Sequence, residues 1–324
     1  MTKGWGLLLL QAAIAGVCVY YLLQNLDAGR LGTALTAIPL WLSGASLLCV
    51  LILQALVGLR LHSLLPRLGY WQCFQAEALG TGVNNILPAK MGELAKVAYL
   101  SRRLQEGVYG ALDAVFWSRL FDVNALLLLG LAAGTQLSMR PVVIPLAAVM
   151  LCAWLMLALF RLWPGLTGMA LRLLPAFPLL APVRQLVQQI PQRLSLPFLL
   201  RMGIGTATIW GLEVLLHGLV LRTLFSPCPT WSQVLTITTA GLLGLVAPGP
   251  PGAVGVYEAA LVFALGAYGY DKETALAAAV FLHLAQALPC TAIGLWVFSG
   301  EGLSLGSLLR NKRAQTPSAT PPPQ

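Results

Sequence analysis

Lys90, Glu93 and Lys96 recur at intervals of three in Asn84-Asn85-Ile86-Leu87-Pro88-Ala89-Lys90-Met91-Gly92-Glu93-Leu94-Ala95-Lys96. On a helix they share a face carrying both signs of charge. Such a face can handle an anionic headgroup, or it can be a neutralised pair beside a lysine that snorkels to an interface. Arg119 and Asp122 are also three apart and can pair within one helix, as part of a site or as a strut. Glu258 has no basic neighbour in sequence and needs a partner in space, with Arg119 or Lys90 the expected one. If unpaired, it becomes a candidate for proton coupling. The amides of Asn84 and Asn85 can satisfy backbone groups freed by Pro88, or contact substrate. Glu213 and His217 lie one turn apart. A metal centre would need further ligands, so hydrogen bonding between helices is the expected role.

These residues stand in unusually apolar surroundings. Of 324 residues, 58% are hydrophobic and 10% charged, and the mean hydropathy is +0.79. A soluble domain carries about 25% charged residues, so this chain cannot cover a water-facing surface. A charge at the bilayer centre costs about 2.5–3.5 kcal/mol on insertion scales. Ionisable residues at membrane depth are therefore functional candidates: Glu77, Lys90, Glu93, Lys96, Asp113, Arg119, Asp122, Glu213 and Glu258, with His217 and His283. The net charge of +9 is spread singly through short loops. That is a topology signal, and it lacks the basic helix or zinc-like spacing of a nucleic-acid binder. Six cysteines form no CxxC pair and imply no disulfide framework.

The elements that must position these residues are membrane helices. Spans of about 20 apolar residues are expected at Trp5–Leu23, Ile38–Leu59, Ala111–Gln136, Val142–Phe160, Phe198–Leu221 and Thr274–Phe298. The first is an uncleaved span rather than a signal peptide. Two further apolar regions, Cys73–Leu100 and Val234–Gly269, are interrupted. The second interruption reads Val246-Ala247-Pro248-Gly249-Pro250-Pro251-Gly252-Ala253-Val254-Gly255-Val256-Tyr257-Glu258. Pro removes a backbone donor, and a broken backbone at membrane depth survives only inside protein or beside a water-filled cavity. Paired interruptions of this kind point to a transporter site. The half-helices starting near Met91 and Ala253 would offer free backbone donors to a phosphate.

Charge bias fixes an expected topology. With Lys3 cytoplasmic and each interrupted region folding back to its own side, the loops of Arg60 and Arg67 and of Arg102 and Arg103 face the cytoplasm. So do the connection bearing Arg161, Arg172, Arg184 and Arg193, and the tail with Arg310, Lys312 and Arg313. Arg30, Arg140, Arg222 and Lys272 face outward, a strong positive-inside bias. The first pair then enters from the cytoplasm and the second from the opposite side, an inverted topology. The predicted fold is all-α, a polytopic transmembrane helical bundle of about six full spans plus two inverted re-entrant helix pairs. Residues 1–300 form the membrane domain, 163–197 a cytoplasmic amphipathic connection, and 301–324 a disordered cytoplasmic tail.

The stretch from Asn84 to Lys96 resembles the asparagine, Leu-Pro, basic, Gly-Glu, basic signature of the lysylphosphatidylglycerol synthase transmembrane-region family. Pro250-Pro251-Gly252-Ala253-Val254-Gly255-Val256-Tyr257-Glu258 is similar to its Pro-Gly-Gly-x-Gly-x-x-Glu segment, and Arg119-Leu120-Phe121-Asp122 to its Arg-x-x-Asp stretch. Three departures stand out: Ser118 where the family often has Glu, His283 where a late helix often carries Arg, and the Pro250-Pro251 pair in the glycine-rich turn. The resemblance implies a prokaryotic, flippase-like domain of the bacterial inner membrane that moves lipids between leaflets. Bifunctional members also carry a soluble aminoacyl-transfer domain, for which the tail after Phe298 leaves no room.

The expected function is translocation of an anionic phospholipid or lipid-linked intermediate, without enzymatic activity, cofactor or metal. Asn84, Asn85, Lys90, Glu93, Lys96, Arg119, Asp122 and Glu258 are the expected substrate-binding residues. The expected partner is a membrane lipid, with a homo-oligomer or an envelope enzyme as further possibilities and no nucleic acid. Two alternatives stand beside this: a membrane-embedded transferase on a lipid-linked substrate, or a non-transporting assembly partner of an envelope enzyme. The chain has no Asp-x-Asp cluster and no Ser/His/Asp arrangement to favour the transferase.

Overall fold

A computed structural model describes residues 2–87, 90–133, 140–173, 181–246 and 249–300. The tail at 301–324, the end of the third predicted span at Gln136, and Pro88, Ala89, Ala247 and Pro248 within the two interruptions lie outside the described residues. The molecule is a polytopic helical bundle. Helix α1 (Thr2–Leu23) turns by 90° into a short α2 (Ala28–Thr36), whose first donors, the amides of Gly29 and Arg30, are capped by Asp27 Oδ1. Then follow α3 (Leu40–Leu64), α4 (Tyr70–Ile86), α5 (Met91–Ser101), α6 (Gly107–Ala133) and α7 (Arg140–Leu162). The connection carries α8 (Pro164–Leu173) and α9 (Ala181–Arg193), the helix pair expected there. Last come α10 (Leu196–Leu224), α11 (Trp231–Val246), a 3-10 turn at Pro251–Ala253, α12 (Val256–Ala267) and α13 (Lys272–Gly300).

Each of the six predicted spans coincides with one helix, and α3, α6, α10 and α13 are long and apolar enough to cross a membrane outright. Helix α2 was not anticipated. None of its residues is fully buried, and Leu31 packs against the core only along one side.

Both interruptions fold into antiparallel hairpins. In the first, Tyr99 Oη donates to Gln75 Oε1 at 2.7 Å near the open end, Lys96 meets Glu77 at 2.5 Å midway, and Gly92 N donates to Asn84 Oδ1 at 2.8 Å near the tip. In the second, Gly241 faces Tyr257 and Leu261, and Gly244 faces Val256 and Ala260. The hairpins open at opposite ends of the bundle. Trp71 at the start of α4 meets Trp296 at the end of α13, with ring centroids 6.1 Å apart. Tyr270, just after α12 and before the start of α13, meets Phe225 at 4.9 Å. Helix α13 thus runs from the mouth of the second hairpin to the mouth of the first. It packs closely on α4 because Gly82 and Gly294 face each other, where a Cβ on Gly82 would come 2.9 Å from the Gly294 Cα.

Buried apolar side chains sort into two clusters. One joins α3, α10, α11, α12 and α13 at the end holding Asp271, around Leu42, Val220, Leu261 and Leu276. The other joins α3 to α6 and α10 at the end holding Arg67, around Leu61, Tyr99, Trp117 and Met202. Between them lies a polar layer, and the hairpin tips reach it.

Candidate functional site

The tips touch. Across from Asn85, the left-handed Gly252 (φ 64°) leaves room for the Asn85 carbonyl, which a Cβ there would approach at 3.2 Å. Lys90, also left-handed at φ 53°, reaches from the first tip to the Val246 carbonyl of the second at 3.4 Å. The two adjacent asparagines of the first tip are explained by their bonds. Asn84 accepts from Gly92 N, so it satisfies a donor freed by the break. Asn85 instead ties α4 to α13 through Thr291 Oγ1 at 2.9 Å. The second tip closes on itself, with Gly255 N donating to Glu258 Oε2 at 2.7 Å. Of the backbone donors expected to be free near Met91 and Ala253, Gly92 N, Glu93 N, Ala253 N and Gly255 N are already bonded, and α12 begins at Val256. Side-chain cations stand beside the tips as well.

Those cations sit on a carboxylate ladder. Arg119 pairs with Glu93 across the α5–α6 contact and with Asp122 at 3.3 Å along its own helix. Its side chain remains 52% exposed. Asp122 is held from behind by both Arg60 amino groups at 2.6 and 3.1 Å and by Trp210 Nε1 at 3.2 Å, while Arg60 also donates to Thr206 Oγ1 at 3.0 Å. Lys90 is exposed and within electrostatic reach of both Arg119 and Glu93. Asp122 is spent on Arg60, and Glu93 is matched by Arg119. One positive charge, on Lys90, is left over. A preorganised guanidinium with an ammonium beside it suits a phosphate.

Three sequence expectations change here. Arg60 is not a loop residue: α3 continues to Leu64, and Arg60 is 6% exposed inside it because Asp122 neutralises it. Lys96 does not share the open face of Lys90 and Glu93. It is buried against Glu77 inside the first hairpin, where the three-residue spacing turns it toward α4 rather than α6. Glu258 pairs with neither Arg119 nor Lys90. Its Oε1 meets His283 Nδ1 at 2.6 Å, since α12 packs on α13 and faces away from the tip cations.

Two further networks are structural in form. Asp113, buried, accepts from Trp117 Nε1 at 3.0 Å and from Arg193 at 2.7 Å, which fastens α9 to α6. His217 joins Glu213 O on its own helix to the Tyr257 hydroxyl at 3.0 Å, and Glu213 accepts from Gln286. This is the hydrogen bonding between helices expected of Glu213 and His217. Among the described residues, no group of three or more His, Cys, Asp and Glu side chains could hold a metal ion.

No curated protein matches the chain. A family model described as the lysylphosphatidylglycerol synthase TM region matches residues 8–294, which takes in every helix from α1 to most of α13, both hairpins and the arginine–carboxylate ladder. The chain is a multi-pass membrane protein and belongs to the lysylphosphatidylglycerol synthase transmembrane-region family.

Proposed function

We propose that this protein moves an anionic lipid between the leaflets of the bacterial inner membrane. In this reading α4–α5 and α11–α12 are re-entrant hairpins that dip in from opposite faces, an inverted arrangement, and their tips form the barrier between the two sides. The observation that carries it is Arg119, half exposed beside Lys90, where two broken helices meet. Substrate phosphate would displace Glu93 from Arg119, exchanging one charge-assisted bond for another, while the acyl chains stay in lipid along the exposed Ile86 and Leu94. Glu93, Asp122, Asn84 and Asn85 then hold the cations and the tip in place. Lys96 and Glu258 act from behind this surface. The protein itself carries out no bond-breaking chemistry.

The cytoplasmic side is assigned to the end bearing Arg67, Arg102, Arg103, Arg172, Arg184 and Arg193, because the other end sets Asp27, Asp271 and Glu273 against Arg30, Arg222 and Lys272. Both termini are then cytoplasmic. An impermeant thiol reagent is expected to label Arg67→Cys and Arg103→Cys from the same side and Arg30→Cys from the other. Labelling of Arg67→Cys and Arg103→Cys from different sides would make the first hairpin a full crossing and remove the proposal.

The direct test is a leaflet-exchange assay in vesicles containing fluorescent phosphatidylglycerol. Arg119→Gln is expected to slow exchange by about 10- to 100-fold, the equivalent of one hydrogen bond to a charged group at about 1.5–3 kcal/mol. Lys90→Gln should cost less, because an exposed ammonium is well screened. Exchange of a zwitterionic lipid at the same rate as the anionic one, in both proteins, would overturn the assignment of Arg119.

A further inference from the structure

Helix α4 lies over the seam between α3 and α13, but it covers only part of that seam. On the α3 side a Cβ at Gly58 would come 2.9 Å from the Phe74 Cα, and Tyr70 Oη donates to Ala55 O at 3.2 Å. On the α13 side Gly82 faces Gly294, and Asn85 Nδ2 donates to Ala287 O at 3.4 Å and to Thr291 Oγ1. Helix α4 then stops at Ile86. Counting back along the antiparallel α3 from Gly58 brings that end level with Leu47. Helices α3 and α13 continue toward the end holding Asp271, and the seam left open between them is a groove of about 470 Å³.

Its walls include Leu40, Ser43 and Leu47 of α3 and Phe281, Leu284 and Leu288 of α13. Leu35 of α2 and Ile38 border the shallow end, and Pro289 lies at the deep end. Among the described residues that line the groove, Ser43 alone has a polar side chain. Such a lining offers a charged headgroup nothing. Length narrows the choice further. Val280 and Pro289 are about 14 Å apart along α13 at the helical rise, close to half of a hydrocarbon core about 30 Å thick. A spanning helix, from a partner or a second copy, needs a track through the whole core, and α4 blocks this one partway. An apolar chain reaching in from one leaflet fits both the length and the chemistry.

We infer that this groove binds one acyl chain of a lipid in the leaflet at the α2 end, with the tail of the chain against the end of α4. The inference requires α3 and α13 to cross the membrane, for which both are long and apolar enough. It does not depend on the translocator reading. Lipid tails are as apolar as leucine, so the chain is held by close packing rather than by escape from water. It packs on α3 and α13 in one half of the membrane as α4 does in the other. The chain thereby backs the helix end that carries Asn85 and its bond to Thr291.

The test places the full chain in nanodiscs of phosphatidylglycerol with a trace of the same lipid bearing a diazirine at the end of one chain. After illumination, lipid adducts are located by mass spectrometry. Adducts at Leu284 and Leu288 are expected to exceed several-fold those at Leu151 and Leu155 in the middle of α7, which are comparably exposed. Ser43→Trp puts an indole into the groove from an exposed position and should bring the two sites level. Gly44→Trp, the next residue and in open space, should leave the enrichment intact. Wild-type adducts no more abundant in the groove than on α7 overturn the inference, and that comparison decides the matter even if Ser43→Trp does not fold. Enrichment that survives Ser43→Trp overturns it as well. So does a third result: oxidation of Leu284→Cys, in a background without native cysteines, joins two copies of the chain while groove adducts stay at the α7 level. The groove would then be a contact between copies.

Discussion

Asp122→Ala is expected to destabilise the bundle strongly, because it removes one partner of a buried ion pair. Asp122 takes both amino groups of Arg60, accepts from Trp210, and steadies Arg119. Without it, Arg60 is left inside α3 with Thr206 Oγ1 as its remaining partner and with Nε already unbonded. Breaking a buried pair by deleting one member costs about 3–5 kcal/mol. That corresponds to a change of roughly 100- to 1,000-fold or more in the folded fraction. The measurement is thermal unfolding of the purified protein in detergent, with Arg119→Ala as the comparison, because Arg119 is half exposed and its loss strands less charge. Removing both partners at once, as Arg60→Met with Asp122→Leu, should recover much of the lost stability, since two apolar side chains leave no orphaned ion. An Asp122→Ala protein that melts like wild type would mean that water reaches Arg60. The ladder would then line an open cavity instead of closing its floor.

The helical frame was readable because spanning segments are written in composition, and both hairpins were readable because Pro and Gly interrupt otherwise apolar runs. Pairing was less legible. The sequence places Arg60 in a loop because the apolar run breaks after Leu59, yet the helix continues for another turn and its arginine is neutralised by a residue 62 positions away. Helical spacing placed Lys90, Glu93 and Lys96 on one face, but Lys90 precedes the helix in a left-handed conformation and so stands outside the periodicity. Lys96 then turns toward Glu77, a partner that no local rule identifies. Glu258 meets His283 for a similar reason: packing of α12 on α13 decides the pair, and no local spacing identifies it. The intrahelical Arg119–Asp122 pair needed no tertiary knowledge, and it was foreseen.

The polar residues of the site depend on a backbone approach that only glycine permits. At Gly92 the first hairpin is so narrow that a Cβ would overlap the Gly80 carbonyl oxygen and lie 2.6 Å from the Asn84 amide. A shift of α5 away from α4 would relieve this, but it would also stretch the Gly92 N–Asn84 bond and the Lys96–Glu77 pair. It would swing Glu93 on Arg119 and Lys90 at the tip as well. Gly92→Ala is therefore expected to cost at least the upper end of the about 1–3 kcal/mol usual for overpacking, because the obstacle is backbone and cannot rotate aside. Gly211→Ala is the matched control. It stands in open space on α10, and exchanging a mid-helix glycine for alanine there should stabilise by roughly 0.5–1 kcal/mol. Thermal unfolding of the two variants, with lipid exchange on whatever fraction folds, separates the outcomes. Loss of stability and exchange together at Gly92, with neither lost at Gly211, is the result that a closed first hairpin requires. A Gly92→Ala protein with wild-type melting and wild-type exchange would show that α4 and α5 stand further apart than this packing allows, and that the tip cations are held by something other than the hairpin.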